Sequence, residues 1–582
     1  LDSYEETKGR EILHHLYQNP YVPLAVDTET TGFNCVGGAD TCIGVSIAAV
    51  IDGKAVSHYY GIAHEVGVNV LRDTFDRLKY VLEQPERQLI FANVQFDMLA
   101  LESIGIAVSD NPFWDILTVA NMVDENDPIQ KSLAQLSLHY LGEQGKLDTP
   151  EITKEKKSGW KNTTPEDMYE YAVADAVTTW RIWDVLMHHP EWSIIPFTVW
   201  DEKQRLIRVL LHMRRRGVRV DTQLAADMVR VGEARIEEIK TELGMNPASN
   251  KDMYELLIVQ LGLPILKESK KTGKASFDKF AMDEYEILLD RMDSPVANLI
   301  KEFRGWSKAV SAAYKPYLNL VDNDGRIRCS YKTHGTVSGR LSCAEPNLQQ
   351  IPKASDKPWN GRVKECFIAK DGYTLVEFDY SQLELRLGTA YAGEEELKTV
   401  FNEGRDIFTE MSAQLGMSRQ DTKTLVYSMQ YGAGENRIMN VFGVTQPEAK
   451  AIRENYFNTY PKFKALSELS TMKAQQNGKV MIWTKRWRHF KYPSESYKAL
   501  NSIIQGGSAD IVERIMVRAF NEIDNEECRL LLQVHDSLVW EIKTDKIEEY
   551  SERILKLMED VQPDFGVKFA VEATVRKNNA DI

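Results

Sequence analysis

Cysteine is scarce. Six cysteines in 582 residues, with no CxxC pair, exclude a disulfide framework, and the expected compartment is reducing and cytoplasmic. No stretch approaches the apolar length of a membrane span. The opening "LDSYEETKGREILHHLYQ" is a charged helical pattern, not a secretory signal. It starts on Leu1, which reads as a trimmed or processed start. No GxxxxGK[ST] occurs, so phosphates would have to be held without a P-loop. There is no internal repeat and no low-complexity segment. A basic excess is also missing. The net charge of −15 argues against indiscriminate nucleic-acid binding but leaves room for a local basic channel. What remains, 43% hydrophobic and 27% charged residues, is ordinary for a globular protein, and the length suits about four domains.

Two windows run against the acidic average. Residues 204–219, "QRLIRVLLHMRRRGVR", carry six Arg and no acid. Residues 479–491, "KVMIWTKRWRHFK", carry five Lys/Arg, with Trp483, Trp487 and Phe490 interleaved. Charges for phosphates and rings for bases are what a strand-tracking groove uses. A solvated face with some core aromatics reads as well for each window alone.

The first 190 or so residues alternate strands ("YVPLAVDTE", "CIGVSIAAVI", "KAVSHYYGIA", "QLIFANV") with helices, the pattern of an α/β domain. "HHPEW" is a plausible boundary. Long helices dominate to about residue 315, broken by "GMNPASNK" and "SKKTGKAS". Strands return in "GRIRCSYKT" and "TLVEFD". Residues 394–475 are helical again, and "LLLQVHDSLVWEI" is a hairpin pattern.

Within the first domain, "AVDTETTG" places Asp27 and Glu29 two apart on a strand, facing one way. Asp97 follows a strand in "FANVQFD". "YEYAVADA" supplies Tyr171 and Asp175, four apart on one side of a helix. Four acids of this kind can hold two Mg²⁺ ions, roughly 3.5–4 Å apart, for phosphodiester hydrolysis. The Tyr is suited to orienting a water. Asp115 in "FWDILT" reads equally as a ligand or as a helix N-terminal acid.

A second set lies further on. In "TLVEFDYSQLELR", Asp379 stands where a strand gives way to a helix, and Ser381 with Glu384 looks like a capping box. "LLLQVHDSLVWE" puts Asp536 at a hairpin bend. In "SRQDTKTLVYSMQYGAG", Arg419, Lys423, Tyr427 and Tyr431 recur every four residues, drifting only about 40° per step around a helix. Cations at a helix N-terminus make a triphosphate site; a solvated basic helix with packed tyrosines is the alternative. "HGTVSGRLSCAEPNLQQIP" is an irregular segment carrying Arg340.

These motifs, in this order, resemble known families. DxE, NxxFD and YxxxD resemble the motifs of DEDD-type 3′–5′ exonucleases with a Tyr in the third. "DYSQLELR", the RxxxK…Y…YG helix and "QVHDS" resemble motifs A, B and C of family A DNA polymerases, with "GTVSGRLS…PNLQQIP" and "KALNSIIQGGSAD" as further signatures. The layout resembles the large fragment of bacterial DNA polymerase I or a phage replicative relative; no 5′-nuclease domain is recognised. The resemblance implies a multidomain α/β plus α+β chain. An RNase H-like exonuclease domain (1–195) precedes a right-hand polymerase: thumb and base (196–315), a first palm segment (316–403), fingers (404–497) and a second palm segment (498–582).

The resemblance also implies roles. Asp379 and Asp536 hold two Mg²⁺ for nucleotidyl transfer, with Mn²⁺ able to substitute, and Asp27, Glu29, Asp97 and Asp175 hold the exonuclease pair beside Tyr171. Arg419, Lys423, Tyr427, Tyr431, Glu384 and Gln382 meet the incoming dNTP. Lys423 protonates the leaving group, and Glu384 excludes a ribose 2′-OH. Arg340, Asn501, Gln505, His535, Arg486 and Arg488 contact DNA. Two departures stand out. Ser537 replaces the acid that often follows Asp536, and Glu541 is expected on the other side of the hairpin. Tyr497 replaces an Arg four residues before Asn501.

Expected partners are primer–template DNA, dNTPs and replisome proteins such as a helicase or single-strand binding protein. The expected form is a monomer, in a bacterial or phage-infected cell, with a eukaryotic organelle as alternative. Two other readings compete: a nuclease whose C-terminal half only grips DNA, and a single-subunit RNA polymerase. Glu384 and the exonuclease motifs weigh against the second.

Overall fold

The structure, a computed structural model, describes residues 3–128, 131–143, 154–155, 158–160, 162–269, 272–292, 294–352 and 357–576. Of the expected turn at 269–276, residues 270 and 271 lie outside that set. The chain divides into two compact units. One comprises Leu1–Arg215, Tyr331–Ser342 and Val376–Val575; the other comprises Arg216–Ser330, Cys343–Leu375 and Arg576–Ile582.

The first unit opens with a five-stranded mixed sheet. Its strands are β1 (Leu24–Thr30), β2 (Cys42–Ile51), β3 (Lys54–Gly61), β4 (Leu89–Phe91) and β5 (Phe113–Asp115), in the order β3-β2-β1-β4-β5. β1, β2 and β3 pair antiparallel, and β4 and β5 extend the sheet in parallel. Asp52 and Gly53, both at positive φ, close the β2–β3 hairpin, since a two-residue turn of that hand matches the strand twist. β2 is an unbroken apolar run because it is buried almost throughout. The helix Pro165–Met187 packs against β1, β2 and β3. It starts on a Thr164–Asp167 capping box with Pro165 in the first turn.

The second unit is mostly helical. Asp221 caps Thr222–Leu243 by accepting from Leu224 N at 2.9 Å, and Gly244 ends that helix in the left-handed conformation. Val296–Ala309 packs along it. A small antiparallel sheet joins β6 (Val218–Val220) to β7 (Arg326–Ile327) and β8 (Phe367–Ile368).

A four-stranded sheet follows, most of it in the first unit: β9 (Tyr373–Tyr380), β12 (Cys528–Val534), β13 (Ser537–Lys543) and β14 (Val571–Arg576), in the order β12-β13-β9-β14. A separate hairpin, β10 (Lys479–Met481) with β11 (Trp487–His489), precedes β12. Alternation along β9 buries Val376, Phe378 and Tyr380. The Tyr380 hydroxyl bonds Met558 O at 2.5 Å on the helix Ile547–Glu559. Burying each such ring contributes about 2 kcal/mol, enough to keep the opposite face of β9 in one orientation. The helices from Glu395 to Asn477 share a separate core around Leu425, Val426, Met429 and Phe463.

Candidate active sites

The N-terminal acids converge. Asp27 and Glu29 on β1 and Asp175 on the Pro165–Met187 helix bring ligand oxygens within 4.8 Å of one another. Asp97, in the first turn of Val94–Ser103, stands beside them fully buried. It accepts from Thr28 N at 3.1 Å and Thr28 Oγ1 at 2.7 Å. Burial, then the Asp27 charge, pushes its carboxyl well above the usual range. Crowded hard oxygen donors that strain to ionise together fit divalent cations. Tyr171 is buried one helical turn from Asp175, its ring 5.8 Å from Trp160. Gly44, paired with Glu29, leaves room for the Tyr59 hydroxyl: a Cβ there would lie 1.9 Å from it. Asp115 is a cap, taking Thr118 Oγ1 at 2.6 Å and Asn93 N at 3.0 Å. Thr28, between the two acids of the DxE motif, went unremarked in the sequence; a β-strand Thr carries no signal until its partner is known.

The second centre forms at the open end of the four-stranded sheet. Val534 pairs with Ser537, so His535 and Asp536 make a two-residue turn with His535 at φ 56°. Tyr380 N donates to Asp536 O at 3.4 Å, which ties the residue after Asp379 to the turn. Arg340 pairs with Glu384 and lies 3.8 Å from Asp536 Oδ1. Burial raises the Glu384 and Asp536 carboxyls, and Arg340 pulls both back. The acids at this end of the sheet are Asp379, exposed near the end of β9, and Asp536, in the turn between β12 and β13.

The profile described as DNA polymerase family A matches residues 218–581, and one described as 3′-5′ exonuclease matches residues 4–189. This chain belongs to DNA polymerase family A. It is 32% identical over 395 residues to the thermostable DNA polymerase I of Thermus aquaticus, covering 64% of this chain and 46% of that one. To DNA polymerase I of Pseudomonas aeruginosa it is 29% identical over 597 residues, covering 95% and 63%. The chain thus spans about half to three-fifths of these relatives' lengths. The POL domain of Pol1 from M. smegmatis, in complex with DNA primer-template and dNTP, shares the fold. Its TM-score is 0.78 at 20% identity over 98% of both chains. Family A polymerases use divalent metals. The architecture is an exonuclease domain on a mixed sheet followed by the family A polymerase domain, and no helix among the described residues is long and apolar enough to cross a membrane.

In this family A chain the helix Arg419–Gln430 is capped by Ser418, which accepts from Asp421 N at 3.0 Å. Its stripe is displayed: Arg419 and Lys423 are exposed, Tyr427 is half-buried and Tyr431 is exposed. Arg419 makes a two-point pair with Asp406, at 3.2 and 2.6 Å. Tyr427 packs 5.9 Å from Phe408, and burial pushes its phenol up to about 12. Tyr431 donates to Glu384 Oε2 at 3.2 Å and is also hydrogen-bonded by Gln505. Asn501 and Gln505 lie four apart on the helix Ala499–Glu522, half-buried. A cavity of about 1270 Å³ is lined by Tyr431, Arg437, Arg453, Phe457 and Tyr497 among others.

Several expectations need correcting. Ser381 and Glu384 form no capping box. Gln382, at φ 55°, precedes the helix Leu383–Ala392, and Glu384 faces Arg340 and Tyr431 instead. Glu541, four residues past Ser537 on β13, lies about 13 Å further along and is fully buried. Arg486 and Arg488 are buried, not free for DNA. Arg486 pairs with Asp510 at 3.1 Å and bonds Ser338 O, and Arg488 pairs with Glu125 at 2.7 Å. With His489, whose Nδ1 lies 2.9 Å from Glu125, and Lys479, 2.5 Å from Glu191, Arg488 clamps the β10–β11 hairpin to the exonuclease domain. Asp124, Glu125 and His489 also converge within 4.8 Å, but Arg488 already supplies the positive charge there. In the other basic window within this unit, Arg208 bonds the carbonyls of Ser109 and Asn111 and Arg215 pairs with Glu102, while Arg205 is exposed and pairs with Asp201.

Proposed function

We propose that this chain is a template-directed DNA polymerase that also removes mismatched 3′ ends with its exonuclease domain. The observation that carries the reading is the hydrogen bond from Tyr380 N to Asp536 O, which joins the strand end bearing Asp379 to the turn bearing Asp536. The exposed Arg419/Lys423 stripe supports a triphosphate site, since anions favour a helix N-terminus with added cations.

On this reading the primer 3′-oxygen forms a bond to the α-phosphorus of the dNTP as the bond to pyrophosphate breaks. Asp379 and Asp536 would hold two Mg²⁺, which stabilise the attacking and leaving oxygens. Arg419 and Lys423 neutralise the β- and γ-phosphates, and Lys423 gives its proton to the departing pyrophosphate. Tyr431 and Gln505 line the templating side. Glu384 crowds the sugar edge where a 2′-OH would stand. In the N-terminal domain Tyr171 orients the water that cleaves the terminal phosphodiester, and Asp27, Glu29, Asp97 and Asp175 form the cation cradle. The named relatives are bacterial and lend a phage origin no support.

Extension of a primer with four dNTPs and Mg²⁺, and its loss in Asp379→Ala, tests the reading against a nuclease that merely grips DNA. Equal use of ribonucleotides would favour an RNA polymerase instead.

A further inference from the structure

No acid follows Asp536; Ser537 stands there, fully buried. Its Oγ lies 2.9 Å from Val534 O and 3.3 Å from Glu377 Oε1, so one hydroxyl proton is shared between two acceptors. Glu377 precedes Asp379 by two residues on β9, so both carboxylates leave the same face of the sheet. Exposure follows the same alternation. Val376 and Phe378 are fully buried, Glu377 is half-buried and Asp379 is exposed. Glu377 is thus an acid on Asp379's strand held against the residue that follows Asp536.

Carboxylate number sets how tightly an oxygen site holds a hard cation. Glu384 contributes little negative charge here, because Arg340 pairs with it. Glu541 is too far down its strand to contribute. We propose that Glu377 is the third carboxylate of the polymerase centre, delivered from the strand that bears Asp379, and that Ser537 is the positioning residue that aims it. The serine after Asp536 then marks a relocated charge, not a lost one. The inference rests on the polymerase reading above.

The test is Mn²⁺ binding to the full chain, followed by electron paramagnetic resonance of the free ion, without nucleotide. An Asp27→Ala background weakens the exonuclease site, and Asp379→Ala in that background marks loss of the polymerase site. Glu377→Gln keeps shape and hydrogen bonding but drops the charge. It is expected to weaken polymerase-site Mn²⁺ binding about tenfold, as loss of a metal-supporting group does. Ser537→Ala is expected to weaken it in the same direction. Exchanging the pair, Glu377→Ser with Ser537→Glu, is expected to recover affinity that Glu377→Ser alone loses. Unchanged Mn²⁺ affinity in Glu377→Gln, with Asp379→Ala still showing the loss, overturns the inference and leaves the polymerase reading standing. Mn²⁺ binding and primer extension that both survive Asp379→Ala would overturn the polymerase reading itself. Thermal unfolding of each variant separates lost binding from lost folding.

Discussion

The Tyr431 hydroxyl donates to Glu384 Oε2 at 3.2 Å, joining the end of the helix Arg419–Gln430 to the first turn of the helix after β9. Arg340 holds the other carboxylate oxygen, so Glu384 is fixed from both sides. A side chain held this firmly makes a rigid wall. Glu384→Ala should therefore admit ribonucleotides. The ratio of kcat/KM for dATP over ATP should fall by tenfold or more, about 1.4 kcal/mol of discrimination. Single-nucleotide incorporation kinetics with both substrates check it. An unchanged ratio places the sugar elsewhere.

Tyr427 lies one turn before Tyr431, with its hydroxyl the one polar atom of an otherwise apolar contact with Phe408. A phenol there can bond the triphosphate in place of a missing 3′-OH. Tyr427→Phe should raise the preference for deoxy- over dideoxynucleotides by about 30-fold, the worth of one hydrogen bond to a charged group at about 2 kcal/mol. Chain-termination assays with mixed nucleotides read this ratio directly.

Asp27 belongs to the crowded trio with Glu29 and Asp175, and its charge is what most disturbs Asp97 after burial itself. Asp27→Ala should stop removal of a mismatched 3′ nucleotide while a matched primer is still extended. The same substitution relieves a repulsion, so the thermal midpoint should hold or rise. Loss of extension together with excision would mean that the N-terminal domain serves folding alone.

The features legible in the sequence are those set by local period. Alternation on β1 put Asp27 and Glu29 on one face, and four-residue spacing put the Arg419–Tyr431 stripe on another. The two apolar runs around Asp536 fixed its turn. What local period cannot carry is a partner from elsewhere in the chain. Arg488 looked like a DNA contact because Glu125, its partner, lies 363 positions earlier. Glu384 looked like a cap because nothing local says that Gln382 adopts positive φ or that Arg340 arrives from a distant loop.

Arg486 depends on distant partners in the same way, and its pairing has a measurable worth. Its guanidinium is buried and shared among Asp510, Ser338 O and Gly506 O. Arg486→Ala leaves Asp510 buried without that cation, which costs about 3–5 kcal/mol. Thermal or denaturant unfolding of the full chain should show a large loss. The slope of DNA affinity against salt should stay as in the parent, because no phosphate contact is removed. A slope reduced by about one ion would return Arg486 to the DNA surface.

His489 makes the clamp between hairpin and exonuclease domain sensitive to pH. Burial lowers its pKa, but Glu125 at 2.9 Å and Glu191 at 3.3 Å outweigh burial, so the net shift is upward. A histidine whose pKa is raised by folding binds a proton more tightly when folded. Its contribution is complete below the unfolded value, about 6.5, and disappears as pH rises through the raised folded value. His489→Gln should therefore lower the unfolding midpoint relative to the parent most at pH 5.5, less at pH 7.5 and least in mildly alkaline buffer. Glu125 also loses some of its hydrogen bonding in that variant at every pH, so a constant offset should remain beneath the pH-dependent change. Unfolding curves of parent and variant across that range test the sign: a gap that widens with rising pH would mean that His489 is held neutral in the folded chain.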